Sequence, residues 1–144
     1  MLGEVLEYLD LRPGKTIVDA TLGTAGHAQA ILERILPGGR LIGIDRDATS
    51  LAVSRQRLGE FGSAYELVHG NFVDIDTLLE NLKVKKVDGV LFDLGISSFQ
   101  LQDPSRGFSF QSEGPLDMRM DQDSYVSAYD LVNNLNEEEL STLL

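Results

Sequence analysis

Cysteine is absent from the 144 residues. Disulfides, thiolate metal sites and a cysteine nucleophile are thereby excluded, and the composition fits a reducing cytosol. Histidine is scarce, with two in the chain, so no metal centre is expected. Positive charge is also in short supply. Twelve Lys and Arg face 23 Asp and Glu, giving a formal net charge of −11. A surface of that sign repels a polyanion; if a nucleic acid is the substrate, the basic surface that grips it is expected elsewhere. No apolar run approaches the length of a membrane span. The opening stretch MLGEVLEYLDL is acidic and lacks the basic flank and apolar run of a secretory leader. Internal repeats and low-complexity segments are missing as well. These absences lead us to expect a soluble, cytoplasmic protein that makes no membrane contact.

What is present is enough for one domain with a real core: 42% of the residues are hydrophobic, too many for a disordered chain. Strand and helix signals alternate as far as Gly95. Val5, Leu6 and Leu9 share one face of a short helix that Pro13-Gly14 ends. TIVDA (16–20) reads as a buried strand leading into the glycine turn LGTAGH. AQAILERIL (28–36) has helical spacing, RLIGID (40–45) is a second strand and ATSLAVSRQRL (48–58) a second helix. YELVHG (65–70) is a third strand, and DIDTLLENL (74–82) a third helix with Asp74 as its expected cap. KVDGVLFDLG (86–95) is a fourth strand, rich in the residue types of a doubly covered sheet. Strands separated by helices imply right-handed crossovers and a parallel sheet. Beyond Gly95 the pattern changes to an irregular stretch (96–124), a helix at VSAYDLVNNL (126–135) and a helix start at Asn136.

Four motifs carry candidate chemistry. In open α/β sheets a ligand sits beyond the carboxyl ends of the strands, where small residues let the backbone approach it. Gly23, Ala25 and Gly26 supply such residues in VDATLGTAGHA, although a tight strand–helix turn asks for the same composition. His27 beside them suits either a helix cap or a ligand contact. Asp45 closes the second strand about twenty residues later, where a carboxylate can accept from two ribose hydroxyls. NAD and S-adenosylmethionine both carry such a ribose; equally, Asp45, Arg46 and Asp47 could form a surface cluster that caps the next helix. Phe72, in HGNF, suits either an adenine face or the core beneath a loop. Asp93, in FDLGISSFQLQD, closes the fourth strand. In the order 3-2-1-4, strands one and four flank the topological switch point, so Asp93 would face the same crevice as Gly26.

Taken together, VDATLGTAGHA, IGIDRD, HGNF, DLGISSFQLQD and RGFSF…GPLDMRMD resemble the bacterial 16S ribosomal RNA cytosine-N4 methyltransferase family, in register along nearly the whole chain. The last two segments are the specific ones. The resemblance implies a class I, Rossmann-like α/β fold that uses S-adenosylmethionine to methylate the exocyclic amine of a cytosine in 16S rRNA, near the ribosomal P site. It places the cofactor residues at Ala25, Gly26, His27, Asp45, Phe72, Asp93 and Gln100, with Asp93 the carboxylate nearest the chemistry. The cytosine amine is a poor nucleophile, so such a reaction rests on positioning and electrostatics. Family members usually begin with a His-x-Pro-Val-Leu-Leu-like segment and continue past Leu144, through a helical insertion and the closing strands. This chain is therefore expected to be an N-terminal portion, with residues 1–100 the cofactor-binding half and 101–144 an active-site loop and the beginning of the insertion. Alone, it is expected to be inactive and to self-associate through the bare edge of strand four.

The segment RGFSFQSEGPLDMRM (106–120) is too apolar for an idle linker. Phe108, Phe110, Leu116, Met118 and Met120 are candidates to anchor it as a lid, or as a staple joining insertion to core, with Arg106 and Arg119 free to face phosphate. Two other functions remain open from the residues. One is a nicotinamide-dependent oxidoreductase domain, disfavoured because G-x-x-G lacks the pyrophosphate turn. The other is a non-catalytic cofactor-binding remnant.

Overall fold

The computed structural model describes residues 2–143. The chain divides into two compact units, Met1–Gly95 and Ile96–Leu144.

In the first unit, α1 (Leu2–Tyr8) precedes β1 (Thr16–Asp19), α2 (Gly26–Ile35), β2 (Arg40–Asp45), α3 (Ala48–Arg57), β3 (Tyr65–His69), α4 (Ile75–Asn81) and β4 (Gly89–Leu91). The four strands form one sheet in the order β3-β2-β1-β4, and every pairing is parallel. This is the parallel α/β sheet expected from the alternation of apolar segments, in the Rossmann-like order that the family resemblance implied. Successive residues of β1 face opposite sides of the sheet, and the two sides have separate cores. Ile17 and Leu41 pack with Ala28, Ile31, Leu32 and Ile35 of α2. Val18 and Ile42 belong to the other side, against Ile75, Leu78 and Leu79 of α4. Both inner strands are almost wholly buried, which explains why their sequences read as continuous apolar runs.

Two local expectations are corrected. The fourth strand is three residues long, not ten. Its last rung is the bond from Ala20 N–H to the carbonyl of Leu91 (2.9 Å). There β1 has already turned into its loop, so Phe92 and Asp93 have no strand to pair with. Asp74 occupies the N-cap position of α4 but its side chain makes no capping bond. The cap lies one turn earlier, where the Asn71 side chain accepts from Val73 N–H (3.2 Å).

The second unit contains α5 (Ser98–Gln102), α6 (Ala128–Asn134) and α7 (Glu137–Leu143). Between α5 and α6 the chain closes on itself around Arg106, which is 3% exposed. One Arg106 Nη donates to the carbonyls of Arg119 (3.0 Å) and Met120 (2.9 Å), and the guanidinium lies over the ring of Phe108. The Arg106 carbonyl accepts from Met118 N–H (3.0 Å). Arg119 is engaged equally fully. Its guanidinium forks onto Asp117 and donates to the carbonyls of Gln122 and Ser124. Both arginines hold the loop together through these bonds. Phe110 is 98% exposed and, contrary to expectation, does not anchor the loop among the described residues.

Candidate functional site

The carboxyl ends of the strands bring six of the seven expected residues to one edge of the first unit. The loop from β1 to α2 (residues 20–25) is the centre of this edge. Ala20 N–H donates towards β4 and Leu22 N–H donates to the carbonyl of Ile44 in β2 (3.0 Å), so the chain parts from its two neighbours here. This is the switch point that parallel order 3-2-1-4 requires. Gly43 of β2 lets Leu22 pack closely: a Cβ there would stand 2.7 Å from Leu22 Cδ1, so that side chain would have to shift.

Gly23 has φ of +54° and turns the chain. Its N–H donates to Asp45 Oδ2 (2.6 Å), and its carbonyl accepts from the buried hydroxyl of Ser54 (2.8 Å). The carbonyl of Thr24 accepts from Arg57 (2.6 Å). Ala25, fully buried at φ of +62°, is the N-cap of α2 and offers no side-chain cap. The first amides of this ten-residue helix therefore present a partial positive charge towards the crevice. Gly26 begins the helix, two residues earlier than the apolar spacing had indicated. A Cβ at Gly26 would meet only Arg57 Nη1, at 3.8 Å. The chain's own packing does not demand glycine there, and the space above it is open.

Carboxylates surround this turn. Asp45 ends β2 and accepts from Gly23 N–H and from Asp47 N–H (2.9 Å). Burial pushes its pKa above the ordinary range, and those backbone donors oppose the shift. Capping of α3 falls instead to Asp47, which accepts from Thr49 N–H (2.9 Å). The two acids have separate roles, and Asp45 keeps lone pairs for a further donor. Asp93, two residues past β4, lies with one oxygen 3.7 Å from Nδ1 of His27. His27 is on the first turn of α2 and does not cap it. Phe72 follows β3, packs on the core and meets Phe92 edge-on, with ring centroids 5.5 Å apart. The core and crevice readings of Phe72 are thus compatible. Gln100 belongs to the second unit, where it is buried and closes a capping box. Its side-chain oxygen accepts from Ser97 N–H (3.0 Å), and its own N–H donates to Ser97 Oγ (3.1 Å).

Sequence reasoning missed three residues of this edge: Asp19, Thr21 and Phe92. Asp19 ends β1 at 1% exposure and accepts from Thr21 N–H (3.3 Å). Desolvation, aided by the charges of Asp45 and Asp93, pushes its pKa up to about 7. The signal was available: a lone acid inside the apolar run TIVDA stands out as soon as that run is taken as an inner strand. No group of His, Asp or Glu suited to a metal ion occurs among the described residues.

Known proteins share this arrangement. A solved rRNA methylase from Streptococcus thermophilus superposes with a TM-score of 0.54 at 20% identity, over 64% of this chain and 53% of that one. A Clostridium thermocellum protein, solved as a candidate rRNA methylase, gives 0.58 at 23% identity, over 66% and 51%. These likenesses concern the fold. Curated relatives are closer in sequence. A ribosomal RNA small subunit methyltransferase H of Pelobacter propionicus is 54% identical over 98% of this chain and 45% of its own length. One from Geobacter sulfurreducens is 52% identical over 100% of this chain and 46% of its own length. The chain thus spans less than half the length of these relatives. The family model of the MraW methylases matches residues 1–144, and the chain belongs to the MraW methylase family.

Proposed function

We propose that this chain is the cofactor-binding part of an S-adenosylmethionine-dependent enzyme that methylates N4 of a cytosine in the 16S rRNA of the small ribosomal subunit. Residues 1–100 form the cofactor-binding half, and residues 101–144 the active-site loop and the start of a helical insertion. The observation that carries the reading is the charge of the crevice. Asp45 closes β2 and Asp93 lies two residues past β4, beside one uncapped helix N-terminus, with Asp19 buried between them at the end of β1 and largely protonated below about pH 7. Carboxylates favour a ligand bearing sulfonium and ammonium charges and repel a pyrophosphate, which weighs against a nicotinamide dinucleotide. The helix N-terminus suits the one anionic group such a ligand has, its carboxylate.

The residues fit that cofactor. Asp45 would accept from the ribose hydroxyls, Phe72 would lie against the adenine, and Ala25, Gly26 and His27 would line the amino-acid end. Gln100 completes the set taken from the family resemblance. When bound, the cofactor supplies an electrophilic methyl group. The chain's part is to orient and to stabilise charge: the Asp93 carboxylate, one of the cofactor-binding set at the methionine end, also accepts a hydrogen bond from the exocyclic amine and stabilises the positive charge that develops on it. The experiment is genetic. Deletion of the gene encoding this sequence, followed by nucleoside analysis of 16S rRNA, should show loss of an N4-methylated cytidine. An unchanged content would refute the assignment.

A further inference from the structure

Asp93 lies beyond the last rung of β4, on a segment that no strand holds. Among the described residues its backbone is tethered by a single hydrogen bond. The Asp93 N–H donates to Oγ1 of Thr21 at 2.7 Å, across 72 residues of sequence. Thr21 in turn donates its own N–H to Asp19 at 3.3 Å. One threonine thus links the end of β1 to the segment after β4, on the side of the switch point opposite the Asp45–Gly23 bond. We infer that Thr21 is a positioning residue that sets the direction of Asp93 towards the crevice. The inference rests on the reading of Asp93 as the crevice carboxylate.

Threonine suits this role for two reasons. Its branched Cβ restricts χ1, so the hydroxyl is presented in few directions. Its oxygen accepts two hydrogen bonds, so holding Asp93 leaves room for other partners. Valine has the same shape without the acceptor. Because Asp93 is an exposed residue, water can replace the lost acceptor in Thr21→Val. What disappears is direction rather than satisfaction of the donor, so the effect should be moderate.

The test is calorimetric titration of the chain with S-adenosylhomocysteine, paired with the amide resonance of Asp93. Thr21→Val should bind about fivefold more weakly, the worth of one neutral hydrogen bond. Its Asp93 amide should move upfield and exchange faster. Thr21→Ser, which keeps the oxygen, should bind within about twofold of the parent, a rescue that a packing role would not give. If Thr21→Val fails to fold, Thr21→Ala removes the same acceptor and is read in the same way. Unchanged affinity and an unmoved Asp93 amide in the valine variant would overturn the inference. So would a serine variant as weak as valine. Asp93→Ala, titrated alongside, separates the two readings. If it binds as the parent does while Thr21→Val still displaces the amide, Thr21 positions the segment and the crevice role of Asp93 is what fails.

Discussion

Asp19 and Asp45 are two carboxyls of this edge whose pKa burial raises. The Asp19 carboxyl has a pKa of about 7 in the folded chain against an ordinary 3.8, chiefly because it is buried. Between those values the folded chain holds a proton that the unfolded chain releases. The associated stability is therefore complete below 3.8 and is lost as pH rises to about 7, by roughly 1.4 kcal/mol per pH unit at most. Asp10, Asp103, Asp117 and Asp130 shift downwards through hydrogen bonds and act in the opposite sense, below the usual carboxylate range. The difference between the parent and Asp19→Asn isolates the first effect, since the amide oxygen still accepts from Thr21. Denaturant melts should find the variant's stability flatter than the parent's from pH 4 to pH 7, and higher at pH 8. A parallel profile would mean that Asp19 titrates normally. For Asp45→Ala, loss of two charge-assisted bonds to ribose should weaken S-adenosylhomocysteine binding by roughly 1.5–3 kcal/mol per bond at most. Calorimetry of that variant reads this directly, and unchanged affinity would show that the ribose lies elsewhere.

Among the elements, the strands and helices of the first unit were legible because apolar spacing is a local signal. Alternation and handedness gave a parallel sheet, and its order came from the family resemblance. What was not legible depended on partners far along the chain. The length of β4 is set by where β1 turns away, and Thr21 acquires its role from a residue 72 positions distant. Arg106 reads as a surface cation in isolation, and only the closed loop reveals it as a buried hub. That loop also depends on two glycines. A Cβ at Gly107 would strike the carbonyl of Pro115, and one at Gly114 that of Pro104; Gly107 has φ of +70° in addition. Gly107→Ala should therefore open the segment, with faster amide exchange at Met118, Ala128 and Tyr129 and little change in the first unit. Protection equal to the parent's would contradict the packing described. The β4 edge makes a separate prediction. It pairs only with β1 among the described residues, and Phe92 and Leu94 beyond it are 48% and 71% exposed. Such an edge invites a further strand. The chain should self-associate in a dilution series followed by light scattering, and a monomer at high micromolar concentration with protected β4 amides would reject this.

At the scale of the whole molecule, a net charge of −11 opposes RNA, whose affinity for proteins comes largely from phosphate contacts. On the proposed function this implies a division of labour, in which the chain would recognise the cofactor and the grip on the nucleic acid would lie outside these residues. Incubated alone with small ribosomal subunits and S-adenosylmethionine, the chain should transfer little or no methyl. Robust transfer would mean that the RNA contacts are already present. The most direct test of the central claim needs no RNA. Titrated by calorimetry against S-adenosylhomocysteine and NAD in parallel, the 144-residue chain should bind the first saturably and the second not at all. Binding of NAD, or of neither, would contradict the account.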